Sequence, residues 1–211
     1  LTVFDPEIFP SEKVQAKREE IMGDAGGFVV GQVSKFVDNR GHDLLVEIAA
    51  KVRERAPELD MRYVIVGGKM EGAEAYYEKV VKMINDYGLE DRFFLVGPQN
   101  SVSEYTAAFD VLVHLPIEWD SFPTVNIEAM ALKKPVVDFR LGGIPEQVVE
   151  GKTGWMYEIG DLDGIADRLA DLGRNPKKAK AAGEEGRRTL LSRFSMEKYL
   201  NGLEEIYEKL S

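Results

Sequence analysis

Residues 118–131, Glu-Trp-Asp-Ser-Phe-Pro-Thr-Val-Asn-Ile-Glu-Ala-Met-Ala, crowd three carboxylates round one predicted helix start. Pro123 suits a first helical turn, and Val125, Ile127, Ala129, Met130 and Leu132 follow at helical spacing. The free amides of a helix start attract anions. Yet Glu118 and Asp120 precede this one and Glu128 lies inside it. Two chemistries fit: ordinary capping and surface charge, or acceptors placed to hold neutral hydroxyls beside a bound anion.

The elements that must position these residues alternate along the chain. Short apolar, β-branched runs at Phe28–Val33, Arg62–Val66, Arg92–Val96, Val111–Leu115, Pro135–Phe139 and Trp155–Tyr157 read as strands. Between them run amphipathic stretches from His42 to Glu54, Ala73 to Tyr87 and Val102 to Phe109, then the helix after Pro123 and a short one at Pro145–Val149. Helices at about 162–172, 177–193 and 196–210 close the chain. Strands separated by helices predict right-handed βαβ units. The expected fold is α/β: a doubly wound, Rossmann-like parallel sheet of about six strands, helices on both faces and a C-terminal helical tail. Ligands of such sheets bind outside the carboxyl ends of the strands, which selects five loops: Gly31–Gly41, Gly67–Gly72, Gly97–Ser101, Pro116–Thr124 and Leu141–Pro145. None matches a dinucleotide fingerprint or a Walker A loop.

Composition narrows the partners. The chain has 211 residues, 44% of them hydrophobic, enough for one large α/β domain with an appendage. Its net charge of −10 argues against nucleic acid, whose binding relies on clustered Lys and Arg. The lack of cysteine excludes disulfides and thiolate metal sites and favours a cytoplasmic location. No apolar run approaches the ~20 residues that span a bilayer.

Read together, the loops are more specific than any one of them. Gly31-Gln32-Val33 followed by Arg40-Gly41-His42-Asp43-Leu44-Leu45, then Val64–Gly68, Phe93–Gly97, Asp120–Ala131, Pro135–Val137 and Gly142–Gly154 occur in this order. The series resembles the donor-binding domain of glycosyltransferase family 4, retaining enzymes of the two-domain GT-B architecture that use nucleotide-activated sugars. Asp120 and Glu128 are similar to that family's E-x7-E motif, with Asp in the first position.

The resemblance implies a division of the chain and roles for its residues. Residues 1–24 would be an interdomain linker with an N-terminal helix, and 25–193 the nucleotide-sugar-binding domain. Residues 194–211 would form a helix that crosses to an acceptor-binding N-terminal domain outside this chain. Arg40 takes the place of the lysine that neutralises the departing diphosphate, and its planar guanidinium suits phosphate. Gln32 replaces the family's arginine and offers neutral hydrogen bonds, with Lys35 nearby as an alternative cation. Asp120 is assigned to the transferred sugar and Glu128 to the ribose hydroxyls. Ser121, Phe122, Pro123, Thr124 and Val125 form the helix start that faces the diphosphate, while Gly31 and Gly97 allow close approach of backbone to donor. The catalytic set is thus Arg40, Asp120 and Glu128, with no cofactor and no metal.

Other features have plainer readings. Glu118 falls outside the motif spacing and reads as surface charge, and Trp119 as a partly buried loop-edge residue. Asp161 and Asp163 look like a D-x-D metal signature but sit at a helix start, where capping explains Asp. His42 and His114 lack neighbouring metal-ligand spacing and read as structural. Lys133-Lys134 stands where the family usually ends the motif helix with glycine, which leaves that turn open. Leu200, Leu203, Ile206, Tyr207 and Leu210 form an apolar stripe that either packs on this domain or, left uncovered, drives self-association. A GT-B-fold nucleotide-sugar epimerase and a non-catalytic interaction module are the alternatives to a transferase.

Overall fold

The computed structural model describes residues 2–23, 27–194 and 196–210. Six strands, β1 (Phe28–Val33), β2 (Met61–Val66), β3 (Phe93–Gly97), β4 (Val111–His114), β5 (Val136–Phe139) and β6 (Gly154–Tyr157), form one sheet in the order β3-β2-β1-β4-β5-β6. All pairings are parallel. The expected doubly wound sheet is therefore present.

Period-two alternation divides the strand side chains between two cores. Val30, Tyr63, Ile65, Val111, Val113 and Val137 point to one face, under α2 (His42–Arg55), α3 (Glu74–Asp86) and α7 (Leu162–Arg174). Val29, Val64, Leu112 and Val136 point to the other, under α1 (Ser11–Met22), α4 (Val102–Ala108), α5 (Thr124–Ala131) and α8 (Pro176–Arg193). On α7 the buried Leu162, Ile165, Ala166, Leu169 and Leu172 form the stripe a sheet-covering helix needs. Asp161 starts that helix by accepting the Gly164 N–H at 2.9 Å, and Asp163 pairs with Lys51 at 3.0 Å. Both aspartates of the apparent D-x-D thus have local structural partners.

Two joints depart from simple expectation. Lys133, just after α5, adopts a left-handed backbone (φ 60°), the conformation for which glycine is suited. The tight approach of Gly183 on α8 accompanies this turn: a Cβ on Gly183 would lie 1.8 Å from the Lys133 carbonyl oxygen. The final helix, α9 (Met196–Leu210), forms as expected, but Leu200, Ile206 and Tyr207 are exposed. Leu203 of the same stripe is half-buried. The side chain of Leu210 lies outside the described residues, as do residues 1 and 24 of the expected linker. The described part of that segment docks through Arg18, which donates to the Ala108 and Gly27 carbonyls at 2.8 and 2.7 Å and pairs with Asp110. Among the described residues, no helix is long and apolar enough to cross a membrane.

Candidate functional site

The strand order reverses between β1 and β4, whose chains leave to opposite sides of the sheet. A crevice at such a switch point is the place where doubly wound folds bind ligands. Here a cavity of about 720 Å³ opens there, between the loop after β1 and the loop from β4 into α5. Arg40, Asp120, Phe122, Pro123, Thr124 and Val125 all line it, so six of the expected residues converge on one space. The exposed Lys35 lines it too.

Arg40 ends a short 3-10 turn, Asp38–Arg40, and its Nη1 donates to Asp120 Oδ2 at 3.0 Å. The cation expected at the diphosphate and the acid expected at the sugar therefore hold one another. Gln32 is enclosed within β1 and does not line the cavity. Its Nε2 donates to the Arg40 carbonyl at 2.7 Å, so it secures the turn that carries the guanidinium.

Backbone packing fixes the opposite wall. Gly142, in left-handed conformation, and Gly143 lie so close to the 120–121 backbone that added Cβ atoms would meet the Asp120 and Ser121 carbonyl oxygens at 2.0 and 1.7 Å. The Gly143 N–H donates to the Asp120 carbonyl at 3.1 Å. Glu118 is exposed and accepts from Asn39 Nδ2 at 2.8 Å, as a surface residue linking the two loops. With Glu118 and Asp120 both anchored, Trp119 between them projects outward at 77% exposure. The expectation of partial burial for Trp119 is therefore corrected.

Helix α5 presents its first residue, Thr124, at the cavity and buries Asn126, Ala129, Met130 and Ala131 beneath it. Glu128, one turn on, is half-buried; burial raises its carboxyl above the usual carboxylate range, and a hydrogen bond with Thr124 opposes that shift. Glu128, Ser121, Gly31 and Gly97 are not among the cavity's lining residues. Gly31 has a packing reason to be glycine, because a Cβ there would lie 2.0 Å from the Phe109 ring. Gly97 ends β3, two strands away from β1.

One constellation has no counterpart in the sequence reading. His114 ends β4 and pairs in register with Asp138 of β5. Its Nδ1 lies 2.9 Å from Asp138 Oδ2, and its Nε2 lies 3.9 Å from Asp120 Oδ2. His114 lines the cavity although almost wholly buried. Asn126 donates to Asp138 Oδ2 at 2.8 Å and to Gln147 Oε1 at 3.1 Å, and Gln147 donates to the Pro123 carbonyl at 3.1 Å. This network ties the start of α5 to β5 and to α6 (Ile144–Gln147). The signal for it was strand register, which brings together residues 24 positions apart.

Known proteins share this fold. Anabaena HepE in complex with UDP and glucose superposes with a TM-score of 0.86 at 23% identity, over 97% of this chain and 55% of that one. The C-terminal domain of LpcC, a glycosyl transferase group 1 protein of Francisella tularensis, matches 91% of this chain and 98% of its own length, with a TM-score of 0.76 at 20% identity. The N-acetyl-alpha-D-glucosaminyl L-malate synthase of Bacillus anthracis is 30% identical over 94% of this chain and 50% of its own length. A GDP-mannose-dependent mannosyltransferase of Mycolicibacterium smegmatis is 31% identical over 88% and 49% respectively. The chain thus spans about half the length of these curated relatives. The family model for glycosyl transferases group 1 matches residues 14–189, and the chain belongs to that family.

Proposed function

We propose that this chain is the donor-binding half of a retaining glycosyltransferase that moves a hexose from a nucleoside diphosphate sugar to an acceptor hydroxyl, without a metal. The observation that carries the reading is the switch-point cavity where Arg40, Asp120 and the start of α5 meet. The diphosphate lies against the α5 amides and the Arg40 guanidinium, which stabilise the charge that grows on it as the sugar leaves. Its arrival draws Arg40 from Asp120, whose carboxylate then accepts sugar hydroxyls. Glu128 accepts the ribose hydroxyls, and this contact favours its ionised form against the burial that raises its carboxyl.

In the transfer the anomeric carbon–phosphate oxygen bond breaks while a bond to the acceptor oxygen forms on the same face. The acceptor's proton passes to the leaving diphosphate, so this half need supply no nucleophile. An N-terminal domain would bring the acceptor and cover the exposed residues of α9. In its absence the α9 stripe promotes self-association, and light scattering of the chain should show apparent mass rising with concentration; a constant monomer mass would remove that part of the proposal.

The role assignment is tested by calorimetry on two variants. Arg40→Ala should weaken both inorganic pyrophosphate and nucleoside diphosphate, whereas Glu128→Ala should weaken the nucleotide alone. The reverse pattern would overturn the assignment.

A further inference from the structure

Resting on that reading, we propose that His114 is a specificity-determining contact for the donor sugar: its Nε2 and Asp120 Oδ2 accept hydrogens from two neighbouring sugar hydroxyls, while Asp138 is the positioning residue that keeps Nε2 bare. The argument begins with hydrogen-bond accounting. Asp138 Oδ2 receives the Asn126 amide and the His114 ring, and its Oδ1 receives the Phe139 N–H at 2.7 Å. Three donors around one carboxyl favour the form that accepts from all of them. Burial pushes the Asp138 carboxyl up, and the His114 ring, the Asn126 amide and the Phe139 N–H each pull it back.

With Nδ1–H donated to Asp138, the tautomer this pairing selects presents a lone pair at Nε2. That lone pair sits in the cavity lining, 3.9 Å from a second acceptor, Asp120 Oδ2. Two acceptors side by side repel in the absence of a donor between or above them. A vicinal diol supplies two donors on adjacent atoms, and hexoses carry such pairs. A phosphate oxygen, itself an acceptor, does not suit the pair, so His114 reads the sugar and not the diphosphate. Arg40 and Lys35, the cations lining the same cavity, are left for the anion.

The chain contains two histidines, so its ring nitrogens are easily resolved by 15N NMR, with His114→Phe supplying the assignment. The expected spectrum gives His114 a protonated Nδ1 and an unprotonated Nε2; a protonated Nε2 would overturn the proposal without any ligand. Calorimetry with UDP and UDP-glucose, and with GDP and GDP-mannose, then tests recognition. His114→Phe should cut the affinity gain of the sugar nucleotide over the bare nucleotide about five- to tenfold, the loss of one hydrogen bond, and leave the bare nucleotide unchanged. Asp138→Asn, which donates an amide N–H to Nδ1 and so moves the ring proton to Nε2, should lose the same gain with the histidine still in place. His114→Gln, which returns a polar atom near Nε2, should recover part of it. Equal weakening of nucleotide and sugar nucleotide, or no change in either, would refute the role of His114 and leave nucleotide binding standing. Failure of the unmodified chain to bind any of the four would instead refute the donor-binding reading on which it rests.

Discussion

The two histidines are both nearly excluded from water, yet their surroundings differ in kind. His42 opens α2, stacks on Phe36 with ring centroids 4.3 Å apart, and shares a 2.9 Å hydrogen bond with the Ser34 hydroxyl. Its other ring nitrogen, Nδ1, is buried without a partner. His114 has the Asp138 carboxyl on one ring nitrogen and the cavity on the other. Burial is common to both, so burial does not decide role. The partner does: an aromatic stack stabilises a neutral ring, while a carboxylate orients one toward something else.

The largest effect expected from this contrast falls on His42 and on acid stability. Burial pushes its pKa down to about 4, so the unfolded chain takes up the proton at pH ~6.5 and the folded chain only near 4. The unfolded state therefore binds more protons between those values. Stability attributable to His42 is fully present above pH ~6.5 and falls by about 3 kcal/mol as pH drops through the window. Urea melts at pH 7 and pH 4.5 should show this loss, and His42→Phe should remove most of it. An unchanged acid limb in His42→Phe would place the cause elsewhere.

A smaller effect concerns the cavity. Arg40→Ala should weaken nucleoside diphosphate by roughly 2 kcal/mol, the scale of a charge-assisted hydrogen bond, and change the melting midpoint little, because the Arg40–Asp120 pair is partly exposed. A large fall in midpoint with affinity intact would make this pair structural, on the His42 side of the comparison. Smaller again is Lys133→Gly. Relieving the left-handed backbone at this position should stabilise the chain by about 1 kcal/mol, as a rise in melting temperature with unaltered nucleotide affinity. A loss of stability would show that the Lys133 side chain, 3.3 Å from Glu184, outweighs the strain.

The central strands β1, β2, β4 and β5 were legible because each is an apolar run rich in β-branched residues and buried on both faces. By contrast β6, Gly-Trp-Met-Tyr, carries no β-branched residue and a weaker pattern. The convergence of Arg40, Asp120 and Phe122–Val125 was legible too, since loops after β1 and β4 must meet at a switch point. Side-chain direction was not. Gln32 stands where an arginine would serve the phosphates, but its place inside β1 turns it toward the Arg40 carbonyl. The His114–Asp138 pair needed the register of β4 against β5, which neither strand's composition specifies. At Trp119, anchoring of both neighbours decides the exposure, and those anchors are long-range contacts.

The central claim is that the cavity between the β1 and β4 loops receives a nucleoside diphosphate. Isothermal titration of the unmodified chain with UDP, GDP and ADP at low ionic strength tests it most directly. Saturable 1:1 binding of at least one, lost in Arg40→Ala, is the predicted result. No heat of binding from any of the three, on a chain that still melts cooperatively, would contradict it.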